Sequence, residues 1–330
     1  MPRTAVIALG GNAFTRAGQQ GTYDEQLANA RAMARTIASV RAAGWGVVVV
    51  HGNGPQIGNL AIQNEEGRAI VPAQPLFSLD AMTQGELGSL ICLAVHEVDP
   101  DVEVCALVTH VVVDQHDPAF THPTKPIGPF FTPERAAELA AERDWVVTED
   151  SGRGYRRVVA SPRPTRIVES PAVPRLADAG TVVVAGGGGG VPVVESGGVL
   201  SGADAVIDKD YVAAQLAHEL AADALVLVTG VEHILLDFGR PTQRPLLEVD
   251  TRELGSQLLA GQFAEGSMAP KVRAACQFLQ AGGTVAVVTT PELVTASLDG
   301  SGGGTRIVPG PPLVQQVAPT ARRTDQEMTG

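Results

Sequence analysis

Short runs of Val, Ile, Ala and Leu, most of them closed by glycine, alternate along the chain with longer stretches that read as helices. The first run, residues 4–9 (TAVIAL), is closed by Gly10, Gly11 and Asn12. Residues 24–43 (DEQLANARAMARTIASVRAA) then read as a helix stopped by Gly44. A second run, 45–50 (WGVVVV), ends in HGNGPQIG. Further strands are expected at 106–113 (ALVTHVVV), 181–185 (TVVVA), 224–229 (ALVLVT) and 284–289 (TVAVVT). A helix is expected at 267–280 (SMAPKVRAACQFLQ), ending at Gly282 and Gly283. Strand, glycine loop and helix in alternation predict an α/β chain with a mostly parallel sheet and helices on both faces.

One stretch breaks the rhythm. From Pro123 to about Pro174 the chain is rich in Pro and Arg, as PTKPIGPFF, a short helix and GYRRVVASPRPTRIVES. It has β-type fragments but no long apolar run, which predicts an inserted flap, 123–174, on the main sheet. Residues 313–330 lack periodicity and read as a loose tail.

Composition narrows the function. At 330 residues the chain can form one large α/β domain or two lobes. Its net charge of −12 argues against nucleic acid or an anionic membrane as partner. Cys92, Cys105 and Cys276 are widely spaced and odd in number, as expected of buried thiols in a reducing compartment. Apolar residues begin directly after MPRT and no run approaches a membrane span, so a cytoplasmic protein is expected.

Three strand ends carry glycine clusters, at 10–12, 51–56 and 186–190. In open α/β sheets such loops feed helix N-termini and present backbone N–H groups to anions. The phosphate-loop pattern GxxxxGK[ST] has no match, since Lys271 follows a proline. HGNGPQIG is one residue off the dinucleotide pattern, and no HRD or DFG set is present. His110, His116 and His122 with Asp114 and Asp117 lack the helical pairing of a zinc enzyme, so no metal-ligand set is expected. His51 reads as a structural histidine at a strand end, and Ser267 as a helix cap.

Lysine is the most selective signal. Of 24 basic residues, 21 are arginines, and the only lysines are Lys125, Lys209 and Lys271. Lys209 stands between Asp208 and Asp210 at an expected helix start, Lys271 in the first turn of another, and Lys125 in the flap. None lies on the exposed face of a long helix, where a solubilising lysine would go. A compact ammonium at a helix N-terminus suits a phosphoryl group better than a wide guanidinium fork.

These residues resemble a known family. AVIALGGNAF, VVVVHGNGPQIGNL, AMTQGELG, HVVVDQHDPAFTHPTKPIGPFF, GYRRVVASPRPTRIVE, VVVAGGGGGVPVV, GADAVIDKDYVAAQLA and GSMAPKVRAA, in this order, are similar to carbamate kinase of the amino acid kinase superfamily. The resemblance runs from about residue 4 to 308. It implies a three-layer αβα sandwich around a mostly parallel sheet of about eight strands, with a small protruding subdomain, in a homodimer. The domain would span 1–312, with an acid-binding part to about 180 and a nucleotide-binding part from 181. The implied reaction is carbamoyl phosphate plus ADP giving ATP and carbamate, reversibly, with Mg2+ held mainly by the nucleotide phosphates.

Carried over residue by residue, Gly10, Gly11 and Asn12 hold the migrating phosphoryl group, and Gly52, Asn53 and Gly54 hold the carbamate. Lys209 and Lys271 neutralise the phosphoryl oxygens, Asp210 orients them, and Lys125 approaches from the subdomain. Gly187, Gly188, Gly189, Asp208 and Met268 are implied at the nucleotide. One departure stands out: where the family reads TDV, then a tyrosine and GKP, this chain reads TGVEHILLDFGRP, with Gly230, a leucine and Arg240. Two other functions stay open, a kinase of another small carboxylate or phosphonate and a non-catalytic sensor or scaffold on the same fold.

Overall fold

The computed structural model describes residues 3–10, 13–16, 18–143, 145–150, 152 and 154–310. The first apolar run forms β1 (Arg3–Ala8), and α1 (Tyr23–Ala42) follows. Its start is set by a reciprocal cap, in which the Glu25 N–H donates to Thr22 Oγ1 and the Thr22 N–H donates to Glu25 Oε2. β2 (Trp45–Val50), α2 (Gly54–Gly67) and α3 (Leu76–Val98) come next.

The run at 106–113, expected as one strand, is divided between two sheets. β3 (Val104–Ala106) joins the main sheet, whereas β4 (His110–Val113) joins a second one. The break falls at Thr109, whose N–H donates to the buried Gln84 side chain at 3.0 Å. That removes a donor that a continuous ladder would use.

β5 (Lys125–Phe131), α4 (Pro133–Arg143), β6 (Val147–Glu149) and β7 (Tyr155–Val159) make a separate three-stranded sheet with one helix. β8 (Pro164–Ile167) leaves it to pair antiparallel with β4, and α5 (Val173–Asp178) places Val173 and Ala177 in the main core. The segment 123–174 therefore divides near residue 160. Ile167 and Val173 are the reason, since both are buried apolar side chains seated in the body of the protein.

β9 (Val182–Val184), β10 (Val191–Ser196), β11 (Val199–Gly202), α6 (Lys209–Glu219) and β12 (Ala224–Val228) follow, then the pair β13 (Ile234–Leu236) and β14 (Arg244–Leu246). β15 (Glu248–Asp250), α7 (Thr251–Leu259), α8 (Met268–Gln280), β16 (Val285–Thr289), α9 (Val294–Asp299) and β17 (Thr305–Val308) complete the described chain. The tail expected at 313–330 lies outside the described residues.

The main sheet has eight strands in the order β15-β17-β16-β12-β1-β2-β9-β3, parallel throughout except between β16 and β17. Alternation along the central strands sorts their side chains between two faces. Val6, Ala8, Val48, Val50, Leu225 and Leu227 pack with Val212 and Leu216 of α6 and Val272 and Phe278 of α8. Ala5, Ile7, Val47, Val49 and Val226 pack with Met33 and Ile37 of α1 and Leu87 and Ile91 of α3. Both faces are covered, so the central strands are near-continuous apolar runs and the fold is helix, sheet, helix. A one-residue slip would exchange the two sets, which holds the register. β12, β1 and β2 are parallel neighbours, so their carboxyl ends lie at one edge, and Gly10, Gly52 and Thr229 just beyond them open onto the same cleft.

Candidate active site

The cleft has a volume of about 2630 Å3 and contains all three lysines. Lys209 is the first residue of α6, and Lys271 lies in the first turn of α8. Asp210 joins them, its Oδ1 accepting from Lys209 Nζ at 2.9 Å and its Oδ2 from Lys271 Nζ at 2.8 Å. All three side chains are buried. Asp208 caps α6 by accepting from the Asp210 N–H at 3.0 Å, and its other oxygen takes Lys125 Nζ at 2.5 Å. Lys125 opens β5, so this ion pair ties the separate sheet to the start of α6.

Three ammoniums against two carboxylates leave one net positive charge in a strongly acidic chain. Burial alone would raise the carboxyls of Asp208 and Asp210, but Lys125 and Lys209 at the first, and Lys209 and Lys271 at the second, outweigh it and hold both low. Burial also opposes the charge on Lys209, and the carboxylates on either side of it overcome that and raise its pKa. Lys271 has one close carboxylate and a like charge beside it, so burial lowers its pKa. The two N-terminal helix turns add their N–H dipoles to the same region.

The second glycine loop begins α2. Asn53 donates through Nδ2 to Asp80 Oδ1 at 3.1 Å and to Thr83 Oγ1 at 2.9 Å, while Gly52 and Gly54 line the cleft beside it. Asp80 is 1% exposed, and burial pushes its carboxyl well above the usual range. His51 is buried edge-on against Phe14, with ring centroids 5.6 Å apart, and burial lowers its pKa to about 4. It is a neutral structural group.

The glycine row 186–190 lies against this loop. Gly188 lines the cleft, where a Cβ would run into the Asn53 amide. At Gly189, with φ of +99°, a Cβ would strike the Ile207 carbonyl oxygen. Gly187 packs on His51. These glycines let three backbone segments meet closely, and among the described residues only Gly188 of this row borders the cleft. Gly10, Met268 and Asp208 border it as well. Gly11 and Asn12 lie outside the described residues. On the far side the wall includes Gly230, His233, Leu235, Phe238 and Arg240, the stretch that departs from the family pattern.

The imidazoles and acids around β4 do not converge. His110 bonds Glu169 at 2.8 Å, Asp114 accepts from the His116 N–H, and Asp117 accepts from the N–H groups of Ala119 and Arg163. Among the described residues no three His, Cys, Asp or Glu side chains gather as a metal site. Asp80, Thr83 and Gln84, which hold the second glycine loop and Thr109, are given no role by the resemblance, although Thr83 and Gln84 stand within AMTQGELG. Their signal is physical, in that they share the buried side of the apolar helix α3 at spacings of three and four.

An open parallel sheet, glycine loops at its carboxyl edge and buried ammoniums at two helix N-termini define a phosphoryl-transfer protein of the α/β class. Residues 3–290 match the model of the amino acid kinase family, and the chain belongs to that family. Carbamate kinase of Pyrococcus horikoshii is 44% identical over 315 residues, covering 94% of this chain and 100% of the relative. The structure of carbamate kinase from Giardia lamblia bound to AMP-PNP superposes with a TM-score of 0.84 at 40% identity, covering 94% of this chain and 99% of that one. The same enzyme bound to citric acid gives 0.88 at 39% identity, with the same coverage. Among the described residues no helix is long and apolar enough to cross a membrane.

Proposed function

We propose that this chain moves a phosphoryl group reversibly between carbamoyl phosphate and ADP, giving ATP and carbamate. In one direction an ADP β-phosphate oxygen attacks the phosphorus of carbamoyl phosphate, and the bond from that phosphorus to the carbamoyl oxygen breaks. In the other a carbamate oxygen attacks the terminal phosphorus of ATP, and its bond to the bridging oxygen breaks.

The Lys209–Asp210–Lys271 bridge is the observation that carries this reading. A migrating phosphoryl group spreads negative charge over its oxygens, and catalysis consists mainly of position and charge neutralisation. Two ammoniums held on one carboxylate are fixed in place before the substrate arrives. Carbamate is already an anion, so the acceptor needs no general base. Lys125 completes the charge from the separate sheet, the Gly10 loop faces the phosphoryl group, and the 52–54 loop takes the acid. The nucleotide lies along the wall that includes Met268 and Gly230.

Both carboxylates at the centre of the cleft are already held by lysines. Mg2+ therefore fits as a partner of the nucleotide phosphates, whose charge it would neutralise when bound. The family also supports a homodimer, which sedimentation equilibrium tests directly, and the free thiols suit a cytoplasmic enzyme.

A coupled assay for ATP formed from ADP and carbamoyl phosphate tests the function. It is run beside a panel of small carboxylates and phosphonates with ATP. Turnover of carbamoyl phosphate is expected, and a better substrate within the panel overturns the choice of acid.

A further inference from the structure

Asn53 borders the cleft and is 3% exposed. Both N–H bonds of its amide point into α3, one to Asp80 Oδ1 and one to Thr83 Oγ1. Chemistry fixes that orientation. The Thr83 hydroxyl donates to the Asp80 carbonyl at 2.8 Å, so its oxygen is left to accept from Asn53. A turned amide would set its carbonyl oxygen against the Thr83 oxygen, whose proton is already given to the Asp80 carbonyl. Among the described residues nothing donates to Asn53 Oδ1, and Asp80 Oδ2 is buried with no partner.

We propose that Asp80 and Thr83 are positioning residues that turn Asn53 into a hydrogen-bond acceptor, so that the acid subsite selects a small acid bearing an N–H donor, carbamate, over its methyl analogue, acetate. This rests on the function proposed above. The carbamate nitrogen supplies the donor that Oδ1 lacks, whereas a methyl group in its place leaves that oxygen desolvated and unpaired. A site built on a buried hydrogen bond rejects the analogue lacking it more strongly than an apolar pocket rejects a change of size. Gln84, one position beyond Thr83, grips Thr109 through its N–H, hydroxyl and carbonyl, which holds α3 at the depth the pairing needs.

The test is the ratio of kcat/KM for carbamoyl phosphate to that for acetyl phosphate, each with ADP. It is measured in the full chain and in Thr83→Val, Asp80→Leu and Asp80→Asn. The native protein is expected to favour carbamoyl phosphate about 100-fold. Thr83→Val and Asp80→Leu should each shrink the ratio about tenfold, through a higher KM for carbamoyl phosphate with the KM for ADP unchanged. Asp80→Asn keeps an acceptor oxygen and should preserve the ratio. An unchanged ratio in Thr83→Val, which is nearly isosteric and decides the matter if Asp80→Leu does not fold, overturns the proposal. So does a native protein that uses both acyl phosphates equally, which leaves the function standing. No ATP from carbamoyl phosphate in the native protein overturns the function, and the proposal falls with it.

Discussion

Lys271 Nζ lies 2.8 Å from Asp210 Oδ2, although 61 residues separate the two in the chain. The pair is buried, and the other oxygen of Asp210 holds Lys209. One carboxylate thus sets the spacing of two ammoniums from two helices, α6 and α8, that pack on the same face of the sheet. Breaking such a pair from one side leaves a buried charge uncompensated, typically at about 3–5 kcal/mol. The bridge is a fold contact, and in the proposed reaction it also positions the two ammoniums.

Lys209→Arg and Lys271→Arg should each lower kcat by about two orders of magnitude. A guanidinium can keep the charge and the contact with Asp210, but its planar fork displaces the phosphoryl group from line. Lys125→Arg should be milder, because Lys125 is only partly buried and its sheet can readjust. Steady-state kinetics and melting curves on the three variants check this, with kcat falling while the folded state persists.

Acid should destabilise the protein through His51. Burial, slightly offset by the Gly52 carbonyl, lowers its pKa from 6.5 to about 4, so the fold keeps it neutral. Above pH 6.5 neither folded nor unfolded chain binds the proton, and stability is unaffected. Between pH 6.5 and about 4 the unfolded chain binds it first, so stability falls as pH falls, by about 3 kcal/mol in all. Urea unfolding at a series of pH values should show that slope. His51→Gln should flatten it even though it loses the packing on Phe14.

Two glycines should respond in opposite ways. Gly189→Ala meets both a left-handed backbone and the Ile207 carbonyl, and should destabilise by about 3 kcal/mol or more. Gly230 has open space around its Cβ position and no positive φ, so Gly230→Asp should fold normally. It restores the acid of the family pattern on the wall proposed for the nucleotide. The native chain is expected to discriminate weakly between ADP and GDP, and the variant more strongly. Comparing kcat/KM for the two nucleotides decides it, and strong native preference for ADP would assign recognition to other groups.

Replacing residues 125–159 by a short Gly/Ser linker should leave the main sheet folded and abolish most turnover. Lys125 and Val159 are register partners, so the two ends of the excised piece lie side by side. Ile127 and Val159 are lost from a small cluster with Ile57 and Leu79, which should lower the melting temperature. Lys125 is lost from the site. Circular dichroism and the coupled assay read the two effects separately. An unfolded product or full activity would each contradict the division of the chain near residue 160.

Local pattern was sufficient for much of this protein. Apolar runs at 4–9, 45–50, 224–229 and 284–289 and the stretch at 24–43 form the expected strands and helix, because continuous burial or helical spacing is a property of neighbouring residues. The rarity of lysine marked three residues that all line one cleft. Tertiary structure alone decided their pairing. Lys125 meets Asp208 across 83 positions and Asn53 meets Asp80 across 27, contacts that exist only after strands and helices pack together. It also decided the break at Thr109, where Gln84 from another helix takes the donor a strand needed. The glycine row 186–190 belongs with these, since whether a glycine faces a ligand or a neighbouring backbone depends on what folds against it. Periodicity is written in adjacent side chains, whereas a partner for a buried charge is chosen by the whole chain at once.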